Sequence, residues 1–375
     1  ILNLVVIPLI AAIFSLGCIA LCFSACCPCL GNILAQTIWL LVHLLFLSVE
    51  FAERVPLSYL RVPQFPLEWY LIYLALLMLF VFWQITTTRK LFLILFLVLI
   101  NVAVWRPVVF HRPGLKVTFF DVGQGDAALF EFPNGRTMLV DAGDCSEYFD
   151  CGKQVILPYL RKNGISRVDA LVLTHPHADH IGGAPTLLET IPTSRIVAPN
   201  VEYESAITQQ IDSLRTFYHI PLQHVVRGDT LLIDPDVLIL VLHPTPFFSE
   251  HVSRNPAELN NVSIVLKCVY HKHSILMAGD AEVDSEESML SLRECLPSTV
   301  LKLGHHGSDT ASGPQFRDAV KPEVAVVSVA TFNHFGLPSD TLLTAFEIQG
   351  TRVLRTDHNG AVQFICTPRN VLRIR

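Results

Sequence analysis

The chain has 375 residues and a formal net charge of −6, which excludes a strongly basic nucleic-acid binder and leaves only local contacts to a polyanion. A hydrophobic fraction of 51% with 16% charged residues is high for a soluble protein, and ten cysteines without a disulfide spacing exclude a small cross-linked scaffold. The average conceals a break near residue 110: the part before it is almost uncharged, the part after it has an ordinary soluble composition.

Four apolar runs occupy the first part. Residues 2–23 and 67–85 are long enough to span a bilayer, and 33–49 and 91–104 are marginal. Arg89 and Lys90 lie between the third and fourth runs and predict a cytoplasmic loop. The fourth run then carries the rest of the chain to the other side. Counting backward puts Glu50, Glu53, Arg54 and Arg61 outside and a Cys26-Cys27-Pro28-Cys29 loop in the reducing cytoplasm, in keeping with unpaired thiols. No short apolar stretch ends at a small-residue cleavage site, so a removable signal peptide is not expected. Arg106-Pro107 and His111-Arg112-Pro113-Gly114 read as a linker.

From Leu115 the pattern changes. Residues 115–120, 127–132 and 136–140 read as strands, the last two joined by an Asn134-Gly135 hairpin turn. A helix is expected over 155–162 and a buried strand over 168–173. That strand runs into Thr174-His175-Pro176-His177-Ala178-Asp179-His180, three histidines and an aspartate within six positions. Imidazole and carboxylate at this density suit zinc, manganese or iron. In an extended segment alternate side chains point the same way, so His175, His177 and Asp179 are expected to converge, with His180 facing a neighbouring site. Gly182 and Gly183 allow close backbone approach at the next helix.

Further on, 205–218 reads as a helix and 231–233, 237–242, 262–269 and 274–277 as strands, the last leading into Gly279-Asp280. His219, His224 and His243 read as surface or packing residues. A strand over 300–303 precedes His305-His306-Gly307-Ser308, helices are expected over 284–294 and 310–320, and strands over 324–329, 352–356 and 361–365. Arg112, Lys116, Arg161, Lys162, Arg167, Lys302 and Arg317 are scattered basic candidates for a polyanion, without a stripe.

The His175–His180 sextet followed by Gly182-Gly183 resembles the metal signature of the metallo-β-lactamase superfamily. Phe120-Asp121-Val122-Gly123-Gln124-Gly125-Asp126, Leu139-Val140-Asp141-Ala142-Gly143, Gly279-Asp280 and Leu301-Lys302-Leu303-Gly304-His305-His306-Gly307-Ser308 narrow this: they resemble the C-terminal domain of ComEC-type competence proteins, membrane channels that import single-stranded DNA. Such proteins are about twice this length, so the chain resembles only a C-terminal half. The implied architecture is multi-domain: about four transmembrane helices and a linker over 1–110, then an α/β metallo-β-lactamase-like αββα sandwich over 111–375.

The resemblance also implies a site. Two divalent ions, zinc or manganese, would be bridged by Asp280, the first also held by His175 and His177, the second by Asp179, His180 and one of the His305-His306 pair. His306 is expected to be the ligand and His305 the phosphate-facing or acid group; Asp179 is a further catalytic candidate. Asp121, Gln124 and Asp126 are expected to border the site, Asp141 to orient a ligand histidine, and Ser308, Asn333 and His334 to lie near substrate. Two departures stand out. Leu337 occupies a position where similar proteins carry histidine, and Glu258-Leu259-Asn260-Asn261 lacks a third histidine for the first ion. Asn260 or Asn261 offers only an amide oxygen, so the first site is expected to be the weaker.

The expected function is DNA uptake in natural transformation, together with other uptake proteins. A multi-pass protein of the inner membrane would carry an extracytoplasmic nuclease that degrades the strand not transported. The alternatives are a DNA-threading protein with little catalysis, or a membrane-anchored hydrolase of a small ester or lactam.

Overall fold

The computed structural model describes residues 3–24, 27–54, 67–81, 86–110, 114–252, 256–367 and 371–373. The chain divides into two compact units, residues 1–62 and 63–375.

In the first unit α1 (Asn3–Ser24) and α2 (Pro28–Arg54) pack as a hairpin. Both are long and apolar enough to cross a membrane. Their large side chains face outward on all sides, Phe14 at 72% exposure and Trp39 at 68%, which suits lipid rather than water. The second run is therefore not marginal. Helix continues on both sides of the apolar stretch, from Pro28, which tolerates a first-turn position, into Glu50–Arg54. Pro28 and Cys29 belong to that helix instead of a loop, and Cys26 lies outside the described residues.

The second unit begins with α3 (Leu67–Val81) and α4 (Thr86–Phe110), which pack against one another. The described part of α3 has 15 residues, shorter than the run expected over 67–85, whose last four residues lie outside the described set. Arg89 and Lys90, expected in a loop, sit in the first turn of α4.

The expected αββα sandwich follows. Its first sheet contains β1 (Leu115–Phe119), β2 (Ala128–Glu131), β3 (Thr137–Val140), β4 (Ala170–Val172), β5 (Ile196–Pro199) and β6 (Leu222–Val225). The second contains β7 (Leu238–His243), β8 (Val265–Tyr270), β9 (His273–Met277), β10 (Val300–Lys302), β11 (Val324–Val327) and β12 (Arg352–Arg355). The chain then returns to the first sheet with β13 (Val362–Cys366) and β14 (Val371–Arg373), giving orders β14-β13-β1-β2-β3-β4-β5-β6 and β12-β11-β10-β9-β8-β7. Each sheet is antiparallel in its first part and parallel in the other: β3 to β6 in one, β9 to β12 in the second.

Alternation along the strands builds three apolar layers. Met138, Val140, Ala170 and Val172 face inward to meet Leu266, Ile275, Met277 and Val300 of the other sheet. Their neighbours Leu139 and Leu171 face outward, onto α5 (Leu157–Lys162), α6 (Ala178–Ile181), α7 (Ala184–Thr190) and α8 (Ala206–Phe217). α9 (Pro246–Val252) instead packs Phe248 against Leu259 and Val262. On the far side Leu276, Leu301 and Ala325 meet α10 (Val283–Met289), α11 (Pro314–Val320) and α12 (Asp340–Ile348) less evenly, with Met289, Phe316, Val320 and Phe346 at the contact.

Three strands went unread, among them the three-residue β14 at the end of the first sheet. Ile196–Pro199 is short and ends in proline, and Leu222–Val225 is a polar edge strand. Conversely, 231–233 is not a strand; only the isolated bridge Thr230–Leu240 forms beside it. The parallel strands matter most for function, because the carboxyl ends of β3, β4, β9 and β10 bring Asp141, the sextet, Asp280 and His306 to one edge of the sandwich.

Candidate metal centre

β4 ends at Val172, the chain bends at His175-Pro176, and His177 is the extended residue that precedes α6 (φ −76°, ψ 148°). The chain then turns helical, so Asp179 and His180 occupy one short turn. The alternation expected to bring Asp179 together with His175 and His177 ends there. Asp179 instead joins His180, Asp280 and His306, whose ligand atoms all lie within 4.8 Å of one another. His175 Nε2 lies 3.1 Å from His177 Nδ1 and 3.9 Å from Asp280 Oδ2.

Asp280 faces both groups. Its Oδ1 is 3.2 Å from His180 Nε2, and its Oδ2 is 3.5 Å from His306 Nε2 as well as near His175. His180 Nε2 and Asp280 Oδ1 are buried and neither makes a hydrogen bond. Polar atoms left so are costly. A cation between them satisfies both, so this donor set fits the divalent ions implied by the resemblance.

The rings of His180 and His306 are fixed from behind. Asp141, itself at positive φ (59°), accepts hydrogen bonds from the Thr174 amide (2.8 Å) and hydroxyl (2.7 Å) and lies 2.8 Å from His180 Nδ1. That carboxylate faces Nδ1, so Nε2 is the nitrogen left to face the cage. His306 Nδ1 lies 2.9 Å from the Ser328 carbonyl, so its Nε2 turns to Asp179 Oδ2, 3.2 Å away. His305 and His306 both adopt left-handed backbone, φ 44° and 52°, which swings two consecutive rings apart. His305 is half-buried and pairs instead with Glu282 Oε1 at 2.8 Å.

The charged groups of the cage act on one another. Burial lowers the His180 imidazole, but Asp280, Asp141 and Asp179 outweigh it and hold the ring well above the usual histidine value. Burial would raise Asp280, yet His180 and His306 hold it well below the carboxylate range. His175 is pushed well down by burial and by the neighbouring His180.

The remaining expected residues spread more widely. Asp126 lies 3.8 Å from His180 Nδ1 and contacts the ammonium of Lys302, while its amide donates to the Asp179 carbonyl (3.1 Å). Asp121 is exposed in the same loop, and Gln124 Oε1 lies 3.5 Å from the Ala330 amide. Asn260 donates to Glu282 (3.2 Å) and leaves its Oδ1 buried and unbonded. Asn261 is consumed: its Oδ1 accepts from Ser285 and the Glu282 amide, and its carbonyl faces His243 Nε2 at 2.8 Å. Ser308 is tied to Thr310, Asn333 braces its own loop through Ala330 and Leu337, and His334 is exposed. Of the isolated histidines, His243 is fully buried and packs on Phe248.

Lys302 is not a surface contact for a polyanion; it is 1% exposed and belongs to the cage. Register accounts for it once the sheets are in place: Val300 faces the inter-sheet core, so the residue two positions on faces inward too. Glu282 and Thr174 were also passed over, though each lies within two positions of a ligand. Beside the cage, a groove of 770 Å³ is lined by His175, Tyr203, Glu202, Glu204 and Asp212 among others.

Two mixed sheets carrying this donor set on their strand ends define the class: the chain belongs to the metallo-beta-lactamase superfamily, whose family model matches residues 120–331. More particularly, it is similar to ComE operon protein 3 of Bacillus subtilis (31% identical over 261 residues, 66% of this chain and 33% of that protein). It is also similar to competence protein ComA of Neisseria gonorrhoeae (30%, 69% of this chain and 33% of that protein). The resemblance to the C-terminal part of competence proteins therefore holds, and the chain spans about a third of the length of these curated relatives. Among solved structures, the metallo-beta-lactamase fold protein YhfI from Bacillus subtilis aligns with 66% of this chain and 99% of its own, at 14% identity and a TM-score of 0.44.

Proposed function

We propose that this chain is part of a membrane protein for DNA uptake in natural transformation, its metal-dependent domain hydrolysing phosphodiester bonds of the strand that is not transported. The observation that carries the reading is the cluster of half-buried Asp179 with buried His180, Asp280 and His306, in a chain similar to competence proteins and bearing apolar helices. When bound, a pair of divalent ions supplies Lewis-acid polarisation of a phosphoryl oxygen and a water of lowered pKa.

The residues of the chain divide the rest of the work. Asp280 turns Oδ1 toward His180 and Oδ2 toward both His306 and His175. Asp141 and the Ser328 carbonyl keep His180 and His306 in the tautomer that presents Nε2. Glu282 holds His305 by Nδ1, leaving its Nε2 for a phosphate oxygen or the departing alkoxide. Asn260 Oδ1, buried and unbonded, is the available amide for the first ion, a weaker donor than imidazole. A titration with Mn²⁺ or Zn²⁺ is expected to resolve one tight and one weak site; two equally tight sites count against this assignment.

The polyanion avoids the groove beside His175, where Glu202 and Glu204 repel phosphate and Arg215 is taken up by Asp212. It crosses instead near the loop braced by Asn333, which holds out Phe332 (95% exposed) and Phe335 (72%) as surfaces for unpaired bases. Arg89 and Lys90, at the start of α4, favour that end facing the cytoplasm, with the sandwich outside.

The test is cleavage of single- and double-stranded DNA by the purified chain in detergent with Mn²⁺ or Zn²⁺, against His177→Ala and Asp179→Ala. No cleavage across metals and substrates overturns the nuclease. Leu337 and the absent third histidine favour a second reading, a DNA-threading protein with little catalysis, for which DNA binding persists unchanged in both variants. A small ester or lactam as substrate is tested by the same protein in a substrate screen.

A further inference from the structure

We infer that Lys302 is a resident cation of the cage: it keeps the carboxylates assembled before any ion arrives, and it weakens ion binding as the consequence. Lys302 projects from the inward face of β10 and is 1% exposed. Its ammonium contacts Asp126 Oδ2, donates to the Gly279 carbonyl (3.1 Å) and lies 3.8 Å from Asp280 Oδ1. It therefore touches the loop before β2 and the backbone that presents the bridging aspartate.

Asp126, Asp141 and His180 form a second compact group of metal-ligand type. Their partners are already assigned within the protein: His180 Nδ1 belongs to Asp141, and Asp126 belongs to Lys302. The tethered ammonium thus holds the place that a further ion would take. Four carboxylates, of Asp126, Asp141, Asp179 and Asp280, meet in a space where all but Asp179 are nearly fully buried. Without Lys302, Asp126 becomes a buried charge lacking its partner, which is far more destabilising than losing both members of a pair. A fixed positive charge next to Asp280 also opposes any divalent cation bound there.

The inference rests on the metal reading only for its second half, so the experiment has a metal-free arm. Melting temperatures of wild type, Lys302→Met and Lys302→Met/Asp126→Asn are measured in chelator and in saturating Mn²⁺, alongside Mn²⁺ titrations. Lys302→Met is expected to melt about 10 °C lower in chelator, with Asp126→Asn restoring most of the loss and Mn²⁺ reducing it by more than half. The same variant is expected to bind Mn²⁺ roughly tenfold more tightly. A loss that is equal with and without Mn²⁺, or undiminished by Asp126→Asn, overturns the clamp and leaves Lys302 a packing residue. Unchanged or weaker Mn²⁺ binding overturns the opposition to ions. Should the single variant fail to fold, the double variant decides alone: failure there too refutes the charge pairing. Wild type that binds no ion overturns the metal reading itself, while the chelator temperatures still decide the clamp.

Discussion

Asp141→Asn tests whether the ligand histidines are oriented from behind. Asp141 uses two oxygens to accept from the Thr174 amide and hydroxyl and to face His180 Nδ1, with all three distances between 2.7 and 2.8 Å. Asparagine has one accepting oxygen. If its NH₂ faces His180, it donates to Nδ1 and drives the proton to Nε2, the atom that faces Asp280. If it turns over, two donors confront each other at the Thr174 amide. Either way a charge-assisted bond is lost inside the protein, about 1.5–3 kcal/mol of stability. Loss of such a carboxylate behind a ligand histidine typically weakens metal binding 10- to 100-fold. The assay is a competition titration with Mn²⁺ and Zn²⁺, with a melting curve to check folding. Because Asp141 acts through His180, Asp141→Asn should add almost nothing to the metal defect of His180→Ala. Metal affinity within twofold of wild type, or full additivity in the double variant, refutes the reasoning.

Three further outcomes are expected. Gly125→Ala should weaken metal binding and lower the melting temperature, because Gly125 has φ +140° and an added Cβ would run into the Asp179 carbonyl; a variant with wild-type titration would show that the loop yields freely. Burial pushes the Glu286 carboxyl up to about 7, against hydrogen bonds from the Gly313 and Ser312 amides. A folded pKa above the unfolded one stabilises fully below about 4.5 and is lost as pH rises through about 7, by up to ~3 kcal/mol. His243, held down at about 4 by burial, has the opposite slope below about 6.5, so the test is the difference between wild type and Glu286→Gln. Urea unfolding at pH 5 and pH 8 should show a smaller fall with pH in the variant, and parallel curves refute the assignment. Finally, Phe332→Ala/Phe335→Ala should weaken binding of a single-stranded oligonucleotide about 10-fold or more and leave duplex binding nearly unchanged, as read by fluorescence anisotropy. Equal losses on both would point to a folding defect in place of stacking.

What the sequence disclosed depended on how local each signal was. The sextet, Gly279-Asp280 and the histidine doublet are short words at strand ends, and the strands before them are apolar runs that alternation resolves. These were legible with the sheet order still unknown. The extended reading failed at Asp179, because a helical turn starting at Ala178 leaves no mark in so short a stretch. Asn261 was expected to offer an amide oxygen to the first ion, and Asn333 to lie near substrate, both from the resemblance. Their bonds to Ser285 and Leu337 are tertiary and loop-closing contacts that no spacing announces.

Lys302 shows the same limit from the other side. A lysine in an apolar strand reads as a surface residue, since burying an ammonium is costly. Both faces of its strand are buried, so alternation does not say which way it points, and its partner Asp126 is 176 positions earlier in sequence. Only pairing of β1–β3 with the parallel strands, and of those with the second sheet, supplies the counter-charge that makes burial tolerable. The cage therefore has two kinds of member. Ligands cluster in motifs because one loop can present several to one ion, whereas the residues that balance their charge come from wherever the fold brings an opposite sign within reach. A search of any similar chain for the first kind alone will find the metal centre and miss what holds it together when empty.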